Sequence, residues 1–188
     1  MMRVTCCLIF CYQFLFSSWG QTYSWAEAQK QDPLVVKNLD CSGLRWDSIP
    51  AQLFLFKNLE KLDLSKNKIQ VLPDQFSSLV QLQVLHLGRN KMSIFPLELA
   101  SLMALRELHL DRNQITKIPE QISSMTSLQT LDLYANAIED FGEGLFALPN
   151  LQILNLEGVM YGTVFAKAFI AKLPHTKVLM DPPCKCLD

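Results

Sequence analysis

A skeleton of 23 residues that returns without insertion constrains this chain more than any other feature of it. Leu59–Pro73 reads LEKLDLSKNKIQVLP, and one period later Leu82–Pro96 reads LQVLHLGRNKMSIFP. Leu105–Pro119 (LRELHLDRNQITKIP) and Leu128–Gly142 (LQTLDLYANAIEDFG) continue it; Val36–Pro50 (VKNLDCSGLRWDSIP) precedes it, and LQILNLEGVMYG follows from Leu151. Leu62 and Leu64 alternate with polar neighbours, the period of a strand with one buried face. One repeat is too short to bury its own apolar row, so repeats must stack, and stacked strands in register form a parallel sheet at about 4.8 Å per rung. Asn67, Asn90, Asn113 and Asn136 then share one line inside the stack, where a buried amide offers both donor and acceptor to the turning backbone. These four read as structural.

The return half of each repeat is as regular. LPDQFSSLVQL, FPLELASLMAL and IPEQISSMTSL open on Pro and place apolar residues three apart, as at Phe76, Leu79 and Leu82. That spacing suits a short 3₁₀ turn on the outer side. With both halves in view, residues 36–160 resemble the leucine-rich repeat superfamily, whose L-x-x-L-x-L-x-x-N-x-L signature they carry. The L-P-x-x-I-x-x-L-x-x-L return is similar to the Ras-suppressor-type intracellular subgroup. The resemblance implies an α/β solenoid, a curved horseshoe with a parallel sheet on the concave face, 3₁₀ turns on the convex face and helical caps at both ends.

The chain has 188 residues and a net charge of −1, which fits one repeat domain and gives no overall field for nucleic acid or an anionic membrane. No apolar run is long enough to span a membrane. Residues 1–20, MMRVTCCLIFCYQFLFSSWG, have the outline of a secretory signal peptide, interrupted by Tyr12 and Gln13. An unstructured leader of an intracellular chain is the other reading, and both stand. Beyond this leader only Cys41, Cys184 and Cys186 remain, and no Asn-x-Ser/Thr acceptor occurs. Unpaired thiols and missing acceptors favour the cytoplasm; a cleaved leader would make the protein secreted. Cys184 and Cys186 alone do not complete a metal site, and the sequence reads them as a frayed tail.

The ends depart from the pattern. Ser24-Trp25-Ala26-Glu27 fits a capping box, predicting a helix over roughly 25–31 within an N-terminal cap of residues 21–35. The apolar Phe54 and Leu55 are expected to meet that helix. Residues 161–188 form the C-terminal cap and tail, with a helix over 163–173 and a short strand near 177–180. Phe146 is expected to play the part of Phe54 there.

On the concave face, one outward column of side chains reads Asp40, Asp63, His86, His109, Asp132, Asn155. The next reads Ser42, Ser65, Gly88, Asp111, Tyr134, Glu157, and beside it runs a basic ridge of Lys66, Arg89 and Arg112. A solvated face of mixed charge would look like this; so would a recognition surface for an acidic or phosphorylated segment of a protein partner, with Arg forks for specificity and Tyr134 as anchor. Ser65, His86 and Asp63 lack the oxyanion hole and enclosed pocket that a triad needs. His86, His109 and Asp111 could approach a metal, yet no supporting shell is visible. The expectation is therefore a non-enzymatic, monomeric adaptor in intracellular signalling, without a cofactor, its partner-binding residues being Asp63, Lys66, His86, Arg89, His109, Asp111, Arg112, Asp132 and Tyr134. A secreted recognition protein and a regulatory subunit of a signalling enzyme are the alternatives.

Overall fold

The computed structural model describes residues 20–184. The leader 1–19 and residues 185–188, with Cys186, lie outside them. The strands are β1 (Thr22–Ser24), β2 (Asn38–Asp40), β3 (Lys61–Asp63), β4 (Val84–His86) and β5 (Glu107–His109). They continue as β6 (Lys117–Ile118), β7 (Thr130–Asp132), β8 (Asp140–Phe141), β9 (Ile153–Asn155) and β10 (Lys177–Leu179). Among the described residues two helices, α1 (Trp25–Ala28) and α2 (Thr163–Ala171), flank the repeats.

The leucine alternation sets the main sheet. Leu39, Leu62, Leu85, Leu108, Leu131 and Leu154 stand in register from β2 to β9, each no more than 1% exposed. Behind them a second buried column runs from Cys41 through Leu64, Leu87, Leu110 and Leu133 to Leu156. Cys41 behaves as a small hydrophobe here: burial pushes its thiol up to about 12, far from the reactive thiolate range.

The sheet has eight strands in the order β1-β2-β3-β4-β5-β7-β9-β10, all parallel: one from each of the six repeats and one further strand at each edge. The two additional strands lie outside the repeats and pair the open edges of β2 and β9, whose backbone groups would otherwise be bare. A second, two-stranded sheet joins β6 to β8.

Each ladder asparagine reaches toward the N-terminus. Asn90 donates from Nδ2 to the Leu64 carbonyl of the preceding repeat at 3.0 Å and to its own repeat's Leu87 at 2.9 Å. Its Oδ1 accepts from the Ile69 N–H at 3.0 Å. Asn113 repeats this with Leu87, Leu110 and Met92, all at 3.0 Å. Five 3₁₀ turns, starting at Ala51, Asp74, Leu97, Glu120 and Glu143, then carry the chain back along the convex side. The first four follow Pro50, Pro73, Pro96 and Pro119.

The fifth follows Gly142, and the exchange has a physical reason. The Gly142 N–H donates to the Ile118 carbonyl at 2.8 Å, a bond that proline could not make. A methyl at Gly144 would overlap the Glu120 carbonyl, so only glycine lets this turn close on the one before it.

At the N-terminal end the capping box is present: the Ser24 N–H donates to Glu27 Oε2 at 2.9 Å, and the Glu27 N–H to Ser24 Oγ at 3.4 Å. α1 is one turn long, ending at Ala28 rather than near residue 31, with hydrogen-bonded turns beyond it. Trp25 packs edge-on against Trp46 at 5.2 Å and against Phe56 at 6.2 Å. Phe54 packs its ring on Phe76 of the next repeat at 5.6 Å, and Leu55, 59% exposed, lines a shallow groove with Ala28 of the helix. At the other end Phe146 does meet its helix, at Phe169 of α2.

Candidate functional site: the concave face

Strand alternation aims three side chains per repeat outward. The column before the one through His86 is Asn38, Lys61, Val84, Glu107, Thr130 and Ile153; the partner-binding set read from the sequence omitted it. The signal was available, because the i, i+2 rule that selects Asp63 also selects Lys61.

The middle column does two jobs. Asp40, Asp63 and Asp132 each accept the backbone N–H two residues ahead, at 2.8, 2.8 and 3.0 Å, and Asn155 does so at 3.1 Å. These side chains fix the strand exit in the manner of an Asx turn. Histidine replaces the carboxylate in β4 and β5. There His86 and His109 stack with centroids 4.4 Å apart and planes 13° from parallel.

The stack is asymmetric. His109 Nδ1 lies 3.6 Å from Asp132 Oδ2, and its Nε2 lies 3.9 Å from Glu107 Oε2. The Asp132 contact raises the His109 pKa above the ordinary imidazole value, with burial opposing it. At 3.6 Å this attraction is mainly coulombic. Burial, then the neighbouring His109, lowers the His86 pKa. His109 therefore takes up a proton first as pH falls. Its charge stabilises the fold below the ordinary imidazole pKa, and that contribution is lost as pH rises through the raised value.

Asp111 lies over Gly88, its carboxylate filling the space a Cβ would need. Burial first, and Asp132 second, push its pKa up. Burial also opposes ionisation of Asp132, but His109 and the Tyr134 N–H outweigh it and its pKa is lowered. His86, His109, Asp111 and Asp132 thus form one patch. Among the described residues no group of three or more such side chains is placed to hold a metal ion.

The ridge has an unexpected backbone. Lys66, Arg89 and Arg112 have φ of 57°, 57° and 53°, as does Ala135 at 52°, and the same column begins at Gly43 and ends at Gly158. This left-handed region suits glycine and costs other residues about 1–2 kcal/mol. All three cations are exposed. Arg112 does not stand open beside Arg89: its Cζ lies 5.1 Å from the Tyr134 ring centroid, a cation–π contact that covers the aromatic. Lys66 and Arg89 have no ion pair among the described residues.

Stacked parallel rungs, the asparagine ladder and the 3₁₀ returns are the anatomy of one repeat class. The chain belongs to the leucine-rich repeat family: that family's profile, described as "Leucine rich repeat", matches residues 36–92 and 103–158. Among solved structures, it is similar to a leucine-rich repeat protein of Leptospira interrogans, with 26% identity and a TM-score of 0.70 over 88% of this chain and 49% of that one. An internalin from Listeria monocytogenes shares the fold, with 22% identity and a TM-score of 0.62 over 79% of this chain and 44% of that one. The repeat ectodomain of an Arabidopsis thaliana membrane receptor kinase, solved with CASPARIAN STRIP INTEGRITY FACTOR 2, gives 27% identity and a TM-score of 0.55 over 69% of this chain and 16% of that one. The chain thus spans about half, or less, of each of these. No curated protein sequence matches it significantly. The fold typically mediates protein–protein interaction, and no helix among the described residues is long and apolar enough to cross a membrane.

Proposed function

We propose that this chain is a non-catalytic, monomeric adaptor of the 23-residue Ras-suppressor-type subgroup, which holds an acidic or phosphorylated segment of a protein partner on its concave face. The observation that carries this reading is the ridge: Lys66 and Arg89 are exposed and without ion pairs among the described residues, at positions whose backbone favours glycine. Arg89 offers a fork to a carboxylate or phosphate. Arg112, laid on Tyr134, presents a flat cationic surface beside it. A protonated His109 adds positive charge to the neighbouring column.

The test is titration with an acidic peptide, such as a phosphoserine-containing hexaglutamate. Binding should weaken with salt, since the contact is open to solvent. It should strengthen as pH falls through the raised pKa of His109, while His86 contributes only at lower pH. Arg89→Glu with Arg112→Glu should weaken binding by tenfold or more and leave the melting temperature nearly unchanged. Unchanged binding in this double variant would reduce the ridge to a solvated face.

The intracellular setting is part of the proposal, supported by the buried free thiol of Cys41 and the absence of glycosylation acceptors. A secreted recognition protein is the second reading, favoured by one observation: Cys184 is disulfide-bonded, not the loose thiol of a frayed tail. N-terminal sequencing of the natural protein separates the two, a mature start at Gln21 selecting secretion. A copurifying enzyme would instead mark a regulatory subunit.

A further inference from the structure

Four phenylalanines converge where β8, the fifth 3₁₀ turn and α2 meet. Phe169 is buried at the centre, with the rings of Phe141, Phe146 and Phe165 at 4.9, 5.1 and 5.3 Å. Over them opens a groove of about 320 Å³ whose rim carries Glu139, Asp140, Glu143 and Lys172. Asp140 pairs with Lys117 at 2.6 Å and Glu143 with Lys172 at 2.6 Å, while Glu139 has no ion pair among the described residues. Three carboxylates therefore face two ammonium groups, and the rim keeps one negative charge in excess.

The groove already holds a cation. Lys172 Nζ sits 4.5 Å from the centroid of Phe146 while it pairs with Glu143. Aromatic face below and carboxylate beside is the arrangement that stabilises an organic cation. The internal pair is weakly held, because its side chains are 48% and 71% exposed and solvent screens it. Phe165, 40% exposed, leaves further aromatic surface open.

We propose that this groove binds the guanidinium of an arginine in a basic segment of a partner protein, and that Lys172 is the internal cation it displaces. A guanidinium stacks flat on an aromatic ring while its fork engages a carboxylate from two nitrogens; an ammonium can do neither. Glu139 and Glu143 are the acceptors on the rim. The site is separate from the concave face and of opposite charge preference, so either can fail without the other.

Titration of the full chain at low salt with hexa-arginine amide, and with hexalysine amide, tests this. Hexa-arginine should bind saturably and at least threefold more tightly than hexalysine. Lys172→Gln should tighten hexa-arginine binding by about threefold, since it removes the competitor and adds net negative charge. Glu139→Gln with Glu143→Gln should weaken it by about tenfold, and Phe165→Ala should weaken it with no change of charge. Circular dichroism and melting of each variant confirm folding. The proposal is overturned if Lys172→Gln weakens binding or the paired glutamine variant leaves it unchanged. It is overturned equally if Asp63→Asn with Asp132→Asn abolishes hexa-arginine binding, which would place the peptide on the concave face. Binding to phosphatidylserine vesicles that depends on Phe165 would make the groove a membrane contact and also refute it.

Discussion

The two ends of the main sheet expose the same kind of open edge and cover it with different materials. At the N-terminal end β1 pairs with β2, and the single turn of α1 folds Trp25 onto Trp46 and Phe56, an aromatic seal with no ion pair among the described residues. At the C-terminal end β10 pairs with β9, but the longer α2 seals through Phe169, and the seal is ringed by Glu143, Lys172, Lys117 and Asp140. The N-terminal cap leaves the repeat pattern almost at once. The C-terminal end bends the pattern first, trading proline for Gly142 and adding Gly144, so that two turns come into backbone contact. Closure alone is achieved by the first arrangement; the second also creates a charged, aromatic depression.

The largest expected effect lies between the ends. Asn113→Ala takes one of the two amide donors from each of the Leu87 and Leu110 carbonyls and leaves the Met92 N–H without its acceptor, which should cost about 3 kcal/mol in chemical denaturation. A variant melting with the wild type would show that the middle of the stack depends on its sealed ends alone. Next comes Gly144→Ala, in which the new methyl meets the Glu120 backbone; about 2 kcal/mol of strain is expected. Repeats contact only their neighbours, so hydrogen exchange should quicken from β8 to β10 and stay unchanged at β1 to β3. Uniform quickening would mean that the ends are not independent. The smallest is Ser24→Ala, which removes the cap of α1 at about 1 kcal/mol. Trp19, Trp25 and Trp46 are the only tryptophans, so fluorescence should register this change while exchange at α2 does not.

Much of the fold was legible because a repeated residue repeats its environment. Six strands, four ladder asparagines and the capping box follow from spacing and side-chain chemistry. β10 lies where a short strand is expected near residues 177–180, whereas β1 carries no leucine skeleton and its three residues are too few to show a period. Phe54 was legible as a misfit but not its partner, since Phe76 and α1 are both apolar and sequence cannot rank them. The concave columns were legible as rows of side chains. Their couplings were not: that His86 and His109 stack, that Arg112 lies on Tyr134, and that the ridge adopts positive φ depend on rotamers and torsions. Gly43 and Gly158 at the two ends of that column were the only hint of its backbone.

The ladder amides all point one way along the chain, which bears on how the protein emerges from the ribosome. Each Asn bonds to carbonyl and N–H groups of the repeat already made, as Asn136 does to Leu110 and Ile115. Synthesis at about 5–20 residues per second delivers a 23-residue unit every one to five seconds or so, far slower than a short loop closes. No ladder side chain must wait for a partner not yet translated. Growth of the nascent stack can thus keep pace with elongation, and α2 lands on repeats that are already stacked, before β10 follows it onto the edge of β9.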